Sequence, residues 1–364
     1  MTTIQLISSY IVAGGAILWL IACGVLASRF EKLENPNPLV FMLIAWPFSL
    51  VEEAIQLLPG GSYLAGMVGV FTFVPLLVMA FAYKAIRPKV TKISAKSLLL
   101  PWLPVLLALG AQVPLLFVAP ETKHMLYRQA PMGDPLGYWY VYLPYWISGF
   151  GCLVIGIVLT EILQVYHRYL PEQVVDIDQF KLKGMAGVMA TTVGIGFICI
   201  VVVSFVAFGI LPFEHWQTLF HLCFATMTLL VLMYCLDTKR SSPSPINYQR
   251  LENTVLGSEA MKAILQRAER AVIEHKAYKK VGLRMTDFAA MANVEPTELA
   301  ITTRALLKRN FRAFIFHYRL EYAKKVLLRS DAKISAVAKR LGFNSEKFLS
   351  GVFVKYMNKF ETHD

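Results

Sequence analysis

The stretch ISAVAKRLGFNSEKFLSGVFVKYM, residues 334–357, decides the reading of this chain. Ile334, Val337, Ala338 and Leu341 recur at i, i+3, i+4 and i+7, which puts them on one face of a short helix. Gly342 follows, the residue that enters a tight left-handed turn without steric cost. Phe343 supplies a large side chain for a core, and Leu349, Val352, Phe353 and Tyr356 restart the helical period. Two short helices joined by one tight turn read as a helix-turn-helix.

The same logic occurs upstream, in MTDFAAMANVEPTELAITTRALL at residues 285–307. Thr286 and Asp287 are suited to cap a helix carrying Phe288, Ala289 and Ala292. Asn293 tolerates the left-handed conformation at its end, and Pro296 suits the first turn of the next helix. Ala289 to Asn293 repeats the spacing of Ala338 to Gly342, 49 residues apart. That interval leaves room for a connecting helix around 311–330, with Phe311, Phe314, Ile315, Tyr318, Tyr322 and Val326 on its apolar face. Before the first unit, Ser258 is placed to cap a helix striped by Ala260, Ile264, Ala268, Ala271 and Val272.

The rest of the chain is of another kind. Overall it is 56% hydrophobic and 16% charged, with a positive mean hydropathy, beyond the usual range of a soluble domain. Residues 1–245 hold 14 Lys and Arg against 12 Asp and Glu, whereas residues 246–364 hold 22 against 12. Nearly all of the net +12 therefore sits in the last third, a surface suited to a polyanion. Seven apolar stretches reach the roughly 20 residues that cross a hydrocarbon core: near 6–28, 39–58, 62–83, 98–118, 138–163, 184–211 and 216–236. With the C-terminus in the cytoplasm, inner loops carry twelve Lys and Arg and outer loops only Lys123 and Arg128. That asymmetry places the N-terminus outside. LIACG at residues 20–24 has the look of a lipoprotein cleavage box, but no Lys or Arg precedes it, so an uncleaved first span is expected.

The segment DTKRSSPSPINYQR after Leu236 reads as a linker. The expected organisation is a seven-span membrane domain over 1–236, a linker over 237–257, and a tandem helix-turn-helix domain over 258–364. The fold class is all-α: a seven-helix transmembrane bundle followed by a cytoplasmic DNA-binding domain.

From about Ala271 to Phe360 the chain resembles the two-unit DNA-binding domain of AraC/XylS-type transcription regulators. NFRAFIFHYRLEYAKKVLL (residues 310–328) and residues 334–357 carry the likeness, through Asn310, Phe311, Tyr318, Arg319, Ala323, Ala338, Gly342, Phe343, Asn344, Ser345 and Phe353. The branch of that family fused behind a multispan membrane region is the most similar. The chain departs from the pattern at Asn358 and Glu361, where the family has Gly and Pro, and at Gly351 and Thr303.

In such a motif the second helix of each unit enters the major groove. The resemblance and the helical period give Thr297, Glu298, Ala300, Ile301 and Arg304 as base-facing candidates in the first unit. Leu299, Thr302 and Leu306 are expected to face inward. The second unit offers Ser345, Glu346, Lys347, Ser350 and Gly351 to bases, with Lys339, Arg340 and Lys355 as phosphate contacts. Arg304 suits a bidentate contact to guanine. Within the bundle, Glu52 and Glu53 lie near the outer end of the second span and are the signal-sensing candidates, because intramembrane carboxylates are costly without a partner or a purpose. His221 is a further polar contact in the bundle.

Nothing in the chain matches a Gly-rich phosphate loop, H-E-x-x-H, a nucleophile elbow or a kinase signature, so neither catalytic residues nor a cofactor are expected. Cys23, Cys152, Cys199, Cys223 and Cys235 all fall in apolar stretches without metal-site spacing, and no metal is expected. The expected function is a membrane-embedded one-component transcription regulator of a bacterial inner membrane. Its expected partners are double-stranded DNA, membrane lipid and a small-molecule or membrane signal, with a homodimer also compatible. The alternative is a receptor- or transporter-like bundle whose degenerate tail docks a protein partner.

Overall fold

The computed structural model describes residues 3–33, 35–57, 61–91, 100–237, 241–243, 256–329, 333–342, 349–351 and 354. Among these residues all named elements are helical, and Val174 and Arg284 form an isolated bridge. The chain divides into two compact units. The first comprises Met1–Gln164 and Leu182–Thr238, and the second Val165–Lys181 and Lys239–Asp364.

In the first unit, α1 (Thr3–Arg29), α2 (Asn37–Ala45), α3 (Val51–Leu57) and α4 (Val74–Val90) are followed by α5 (Trp102–Leu116) and α6 (Pro120–Arg128). The long α7 (Trp139–Gln173), α8 (Lys183–Ala207) and α9 (Trp216–Cys235) complete the set. The last residues of α7, from Val165 onward, belong to the second unit. Helix α9 is the centre of the first unit and touches α1, α2, α4 and α8. Its Trp216, Phe220 and Phe224 are fully buried. Trp46 Nε1 donates to the Ala225 carbonyl at 2.9 Å, fixing the α2–α3 junction against it.

Large apolar side chains also cover the outside of this unit: Leu20 on α1, Leu106 on α5 and Phe197 on α8 are each more than 60% exposed. An apolar exterior this extensive calls for an apolar surrounding.

Five helices are long and apolar enough to cross a membrane: Ser8–Lys32, Asn37–Leu57, Trp139–Gln173, Lys183–Ala207 and Trp216–Cys235. A sixth is obtained if α5 and α6, bent by 112°, count as one broken span. Among the described residues, these candidates do not clearly make up the seven expected. The stretch expected to span over 62–83 opens instead as a 3-10 segment, Gly61–Met67, and turns at Gly69 with φ +76. Its helix begins only at Val74, runs 17 residues, and ends beyond Arg87 and Lys89. The stretch near 98–118 yields a helix of 15 residues, starting after Pro101 and ending two residues past Pro114.

In the second unit, α10 (Ser258–Glu274), α11 (Met285–Ala292), α12 (Pro296–Leu307), α13 (Phe311–Arg329) and α14 (Ile334–Arg340) follow one another. Phe288, Leu299, Phe311, Phe314 and Ile315 centre one core. Ala323, Val337, Ala338, Leu341 and Leu349 form a second. Helix α13 contributes to both, its first half to one and its second half to the other.

The turns follow the expected chemistry. Asn293 adopts φ +51 at the end of α11, Pro296 opens α12, and Gly342 has φ +70 after α14. The caps differ from expectation. Gly257 and Arg284, not Ser258 and Thr286, precede α10 and α11. Asp287 instead pairs with Arg284 at 2.8 and 3.1 Å.

Candidate nucleic-acid interface

The second unit is built around a segment the composition assigned to the membrane domain. Val175 lies in the first core with 0% exposure. Its amide donates to the Leu283 carbonyl at 3.1 Å, and its carbonyl accepts from Arg312 Nε at 3.2 Å. Burial lowers the pKa of Arg312, while Asp176 and Asp178 act in the opposite direction. Tyr169 packs against the same core. Segment 165–181 thus supplies Tyr169 and Val175 to the core of this unit.

Arg319 anchors the arrangement. It sits midway along α13 with no exposure, and its guanidinium forks onto Asp176 at 2.6 and 3.0 Å. Two more donors go to the carbonyls of Tyr278 (3.0 Å) and Lys280 (2.8 Å). Asp176 Oδ2 also accepts from the Gly282 amide at 2.7 Å. A buried ion pair survives only when its remaining donors and acceptors are satisfied, and this one is supplied from three chain segments. Arg319 therefore ties segment 165–181, the loop before α11 and the connecting helix into one body.

Helix α12 is the first candidate reading helix, and its placement differs in part from the expected one. Thr297, Glu298, Ile301 and Arg304 are half-buried at the surface. Ala300, expected to face DNA, is 3% exposed and belongs to the core. Leu306, expected inward, is 37% exposed. The buried face is Leu299, Ala300, Thr302 and Thr303, a wide stripe because α10 as well as α11 and α13 packs on this helix. Periodicity gives the spacing of a face but not its width. Thr303, a departure from the family pattern, is accommodated by donating to the Leu299 carbonyl one turn back at 2.9 Å.

Arg304 Nη2 meets Glu172 Oε1 at 3.0 Å, with the two side chains 33% and 17% exposed. Glu172 lies on the final turn of α7, inside the second unit. The strongest base-reading candidate is thus held by a carboxylate.

In the second motif, Lys339 and Arg340 are exposed on α14, Ser350 is half-buried and Gly351 is exposed. Ser345, Glu346, Lys347 and Lys355 lie outside the described residues.

Residues 288–359 match the family model described as "Helix-turn-helix domain". This part of the chain is a helix-turn-helix domain of the AraC type. The search of curated proteins and the search of solved structures each gave no match to the chain. A helix-turn-helix domain of this type suggests DNA binding by this part of the chain.

Sequence reasoning missed Glu172, Val175 and Asp176 as parts of this domain. Asp176 and Arg319 are 143 residues apart, and an acidic residue in a short polar stretch gives no local sign of so distant a partner.

In the first unit, Glu52 and Glu53 are 3% and 2% exposed. Glu53 Oε1 accepts from the Tyr127 hydroxyl and lies 3.4 Å from His221 Nδ1. Glu52 Oε2 lies 3.7 Å from His221 Nε2, which is 3.2 Å from the Tyr145 hydroxyl. His221 thus lies between the two carboxylates, nearer to Glu53 than to Glu52.

Proposed function

We propose that the chain is a membrane-embedded transcription regulator of the one-component kind. Its first unit senses a signal at the inner membrane, and its helix-turn-helix domain binds promoter DNA in the cytoplasm. The observation that carries this reading is the ion pair between Arg304 and Glu172. It joins the best base-reading side chain of the domain to the end of a helix whose other turns belong to the apolar unit. The apolar exterior of the first unit and the basic excess of the last third support the two environments that the reading requires.

The mechanism follows from that pair. A guanidinium engaged with Glu172 is not available to guanine O6 and N7, so DNA and Glu172 compete for Arg304. A signal acts by binding unequally to the states with and without the pair, because equal binding shifts nothing. Segment 165–181 is the lever, because Val175 lies in the core of the domain and the segment is continuous with α7. Lys339 and Arg340 supply sequence-independent attraction to phosphate.

The test is the full chain in lipid nanodiscs, with Arg304→Ala and Lys347→Ala separately and together, on a promoter fragment that the wild type retains. Loss of specific retention in the double variant supports the reading. Unchanged DNA affinity, with a protein partner lost instead, would favour the bundle-with-docking-tail alternative.

A further inference from the structure

His221 is buried on α9, and the titratable side chains that face it come from three other helices. From α3, Glu53 Oε1 lies 3.4 Å from Nδ1 and Glu52 Oε2 lies 3.7 Å from Nε2. From α7, the Tyr145 hydroxyl lies 3.2 Å from Nε2. From α6, the Tyr127 ring stacks on the imidazole with 6.2 Å between centroids, and its hydroxyl donates to Glu53. The other helices that touch α9 are α1, α2, α4 and α8, and among the described residues none of their charged side chains interacts with His221. Beside Glu52 the cluster borders a partly open cleft with a usable space of about 20 Å3, room for about one water. Lys123 lines that cleft, and its ammonium donates to the Gly66 carbonyl at 3.1 Å.

With both carboxylates ionised and His221 neutral, the cluster holds two buried negative charges around one ring. Burying like charges so close together is costly, and one proton halves the charge. The hydrogen bonds show where that proton is missing. Glu53 Oε1 has the Tyr127 hydroxyl as a donor, and Glu52 Oε1 has the Gly69 amide at 2.9 Å. Glu52 Oε2 has no donor, although it is buried and faces Nε2. Their separation is too long for a hydrogen bond. A proton on either atom supplies the missing donor, and a water-sized space beside Glu52 is enough to deliver it.

We propose that this cluster is a proton site and that proton concentration is a signal the first unit reads. Hydronium in the cleft hands one proton to the gap between His221 Nε2 and Glu52 Oε2 and leaves as water. Closing that gap to the roughly 2.7–3.2 Å of a hydrogen bond draws α9 towards α3. Because α9 touches α1, α2, α4 and α8, the shift is felt by most of the unit. This deepens the sensing role given to the first unit, and rests on that reading only for the consequence of protonation, not for the protonation itself.

The experiment is a pH titration of the full chain in nanodiscs, without DNA, between about pH 8 and 5. The first readout is the nitrogen NMR signals of labelled histidine, with His221 identified by its through-space contact with labelled glutamate carboxyls. The second is the infrared band of a protonated carboxyl that resists hydrogen–deuterium exchange. Glu52 and Glu53 are the only buried acids among the described residues, so such a band is theirs. Wild type is expected to show a His221 signal or a buried carboxyl band that follows pH. In Glu52→Gln the amide supplies a permanent donor to Nε2. The response is then expected to vanish or to move by about one pH unit or more, a tenfold change in proton affinity. A wild-type chain in which neither signal follows pH overturns the proposal, and that result needs no variant. A titration unchanged by Glu52→Gln in folded protein also overturns it, because the proton would then sit outside the gap. Because DNA is absent, failure here leaves the DNA-binding reading intact, and failure of DNA binding leaves this site intact.

Discussion

Arg319 and Asp176 show how one pair sets the limits of a folding unit. The guanidinium is fully buried, so removing its anion leaves a charge with only two carbonyls for company. Breaking a buried pair from one side typically costs about 3–5 kcal/mol. Asp176→Asn is therefore expected to lower the unfolding free energy of the second unit by about that amount. Protease resistance of residues 258–329 in the full chain would report it, and resistance equal to wild type would refute it. Glu172→Gln acts differently, because its pair with Arg304 is partly exposed and pairs of that kind are worth about 0.2–1 kcal/mol. The expected result is unchanged stability and a DNA affinity raised between about 1.5-fold and fivefold. A weaker affinity would mean that Glu172 positions Arg304 for DNA rather than withholding it.

At the scale of elements, the helix-turn-helix was readable because its devices are local. Gly342 needs φ +70, and a Cβ there would also meet Val281 Cγ2 at 3.2 Å. Gly342→Ala should thus cost about 1–2 kcal/mol, whereas Gly351, with open space around it, should accept alanine at no loss or with a small gain. Thermal unfolding of the two variants in parallel checks this, and equal effects would contradict the assigned turn. Asn293 and Pro296 were legible for the same reason, and so was the period of α13. What was not legible depended on neighbours distant in sequence. Ala300 and Leu306 exchanged places because α10 covers α12 from a side that no pattern within α12 encodes. The 3-10 segment Gly61–Met67 and the positive φ of Gly69 were not legible either, because a hydropathy average ignores backbone geometry. Glu52 and Glu53 stood out as intramembrane carboxylates, but the convergence of His221, Tyr127 and Tyr145 on them depends on tertiary packing.

For the whole molecule, the proposed reading links orientation to DNA binding: a cytoplasmic helix-turn-helix domain would fix the sidedness of every loop. In a cysteine-free background, Thr122→Cys is expected to react with an impermeant thiol reagent from outside intact cells, and Lys181→Cys only after permeabilisation. The reverse pattern would place the helix-turn-helix domain on the side without DNA. Because the second unit includes Val165–Lys181, DNA binding is best tested on the full chain rather than on its last third. The most direct test is selection of genomic DNA fragments by that full chain in nanodiscs, repeated as salt is raised. The account predicts enrichment of a defined sequence by about a thousandfold or more over random DNA, with affinity falling steeply with salt. Weak binding, equal on every fragment, would contradict it.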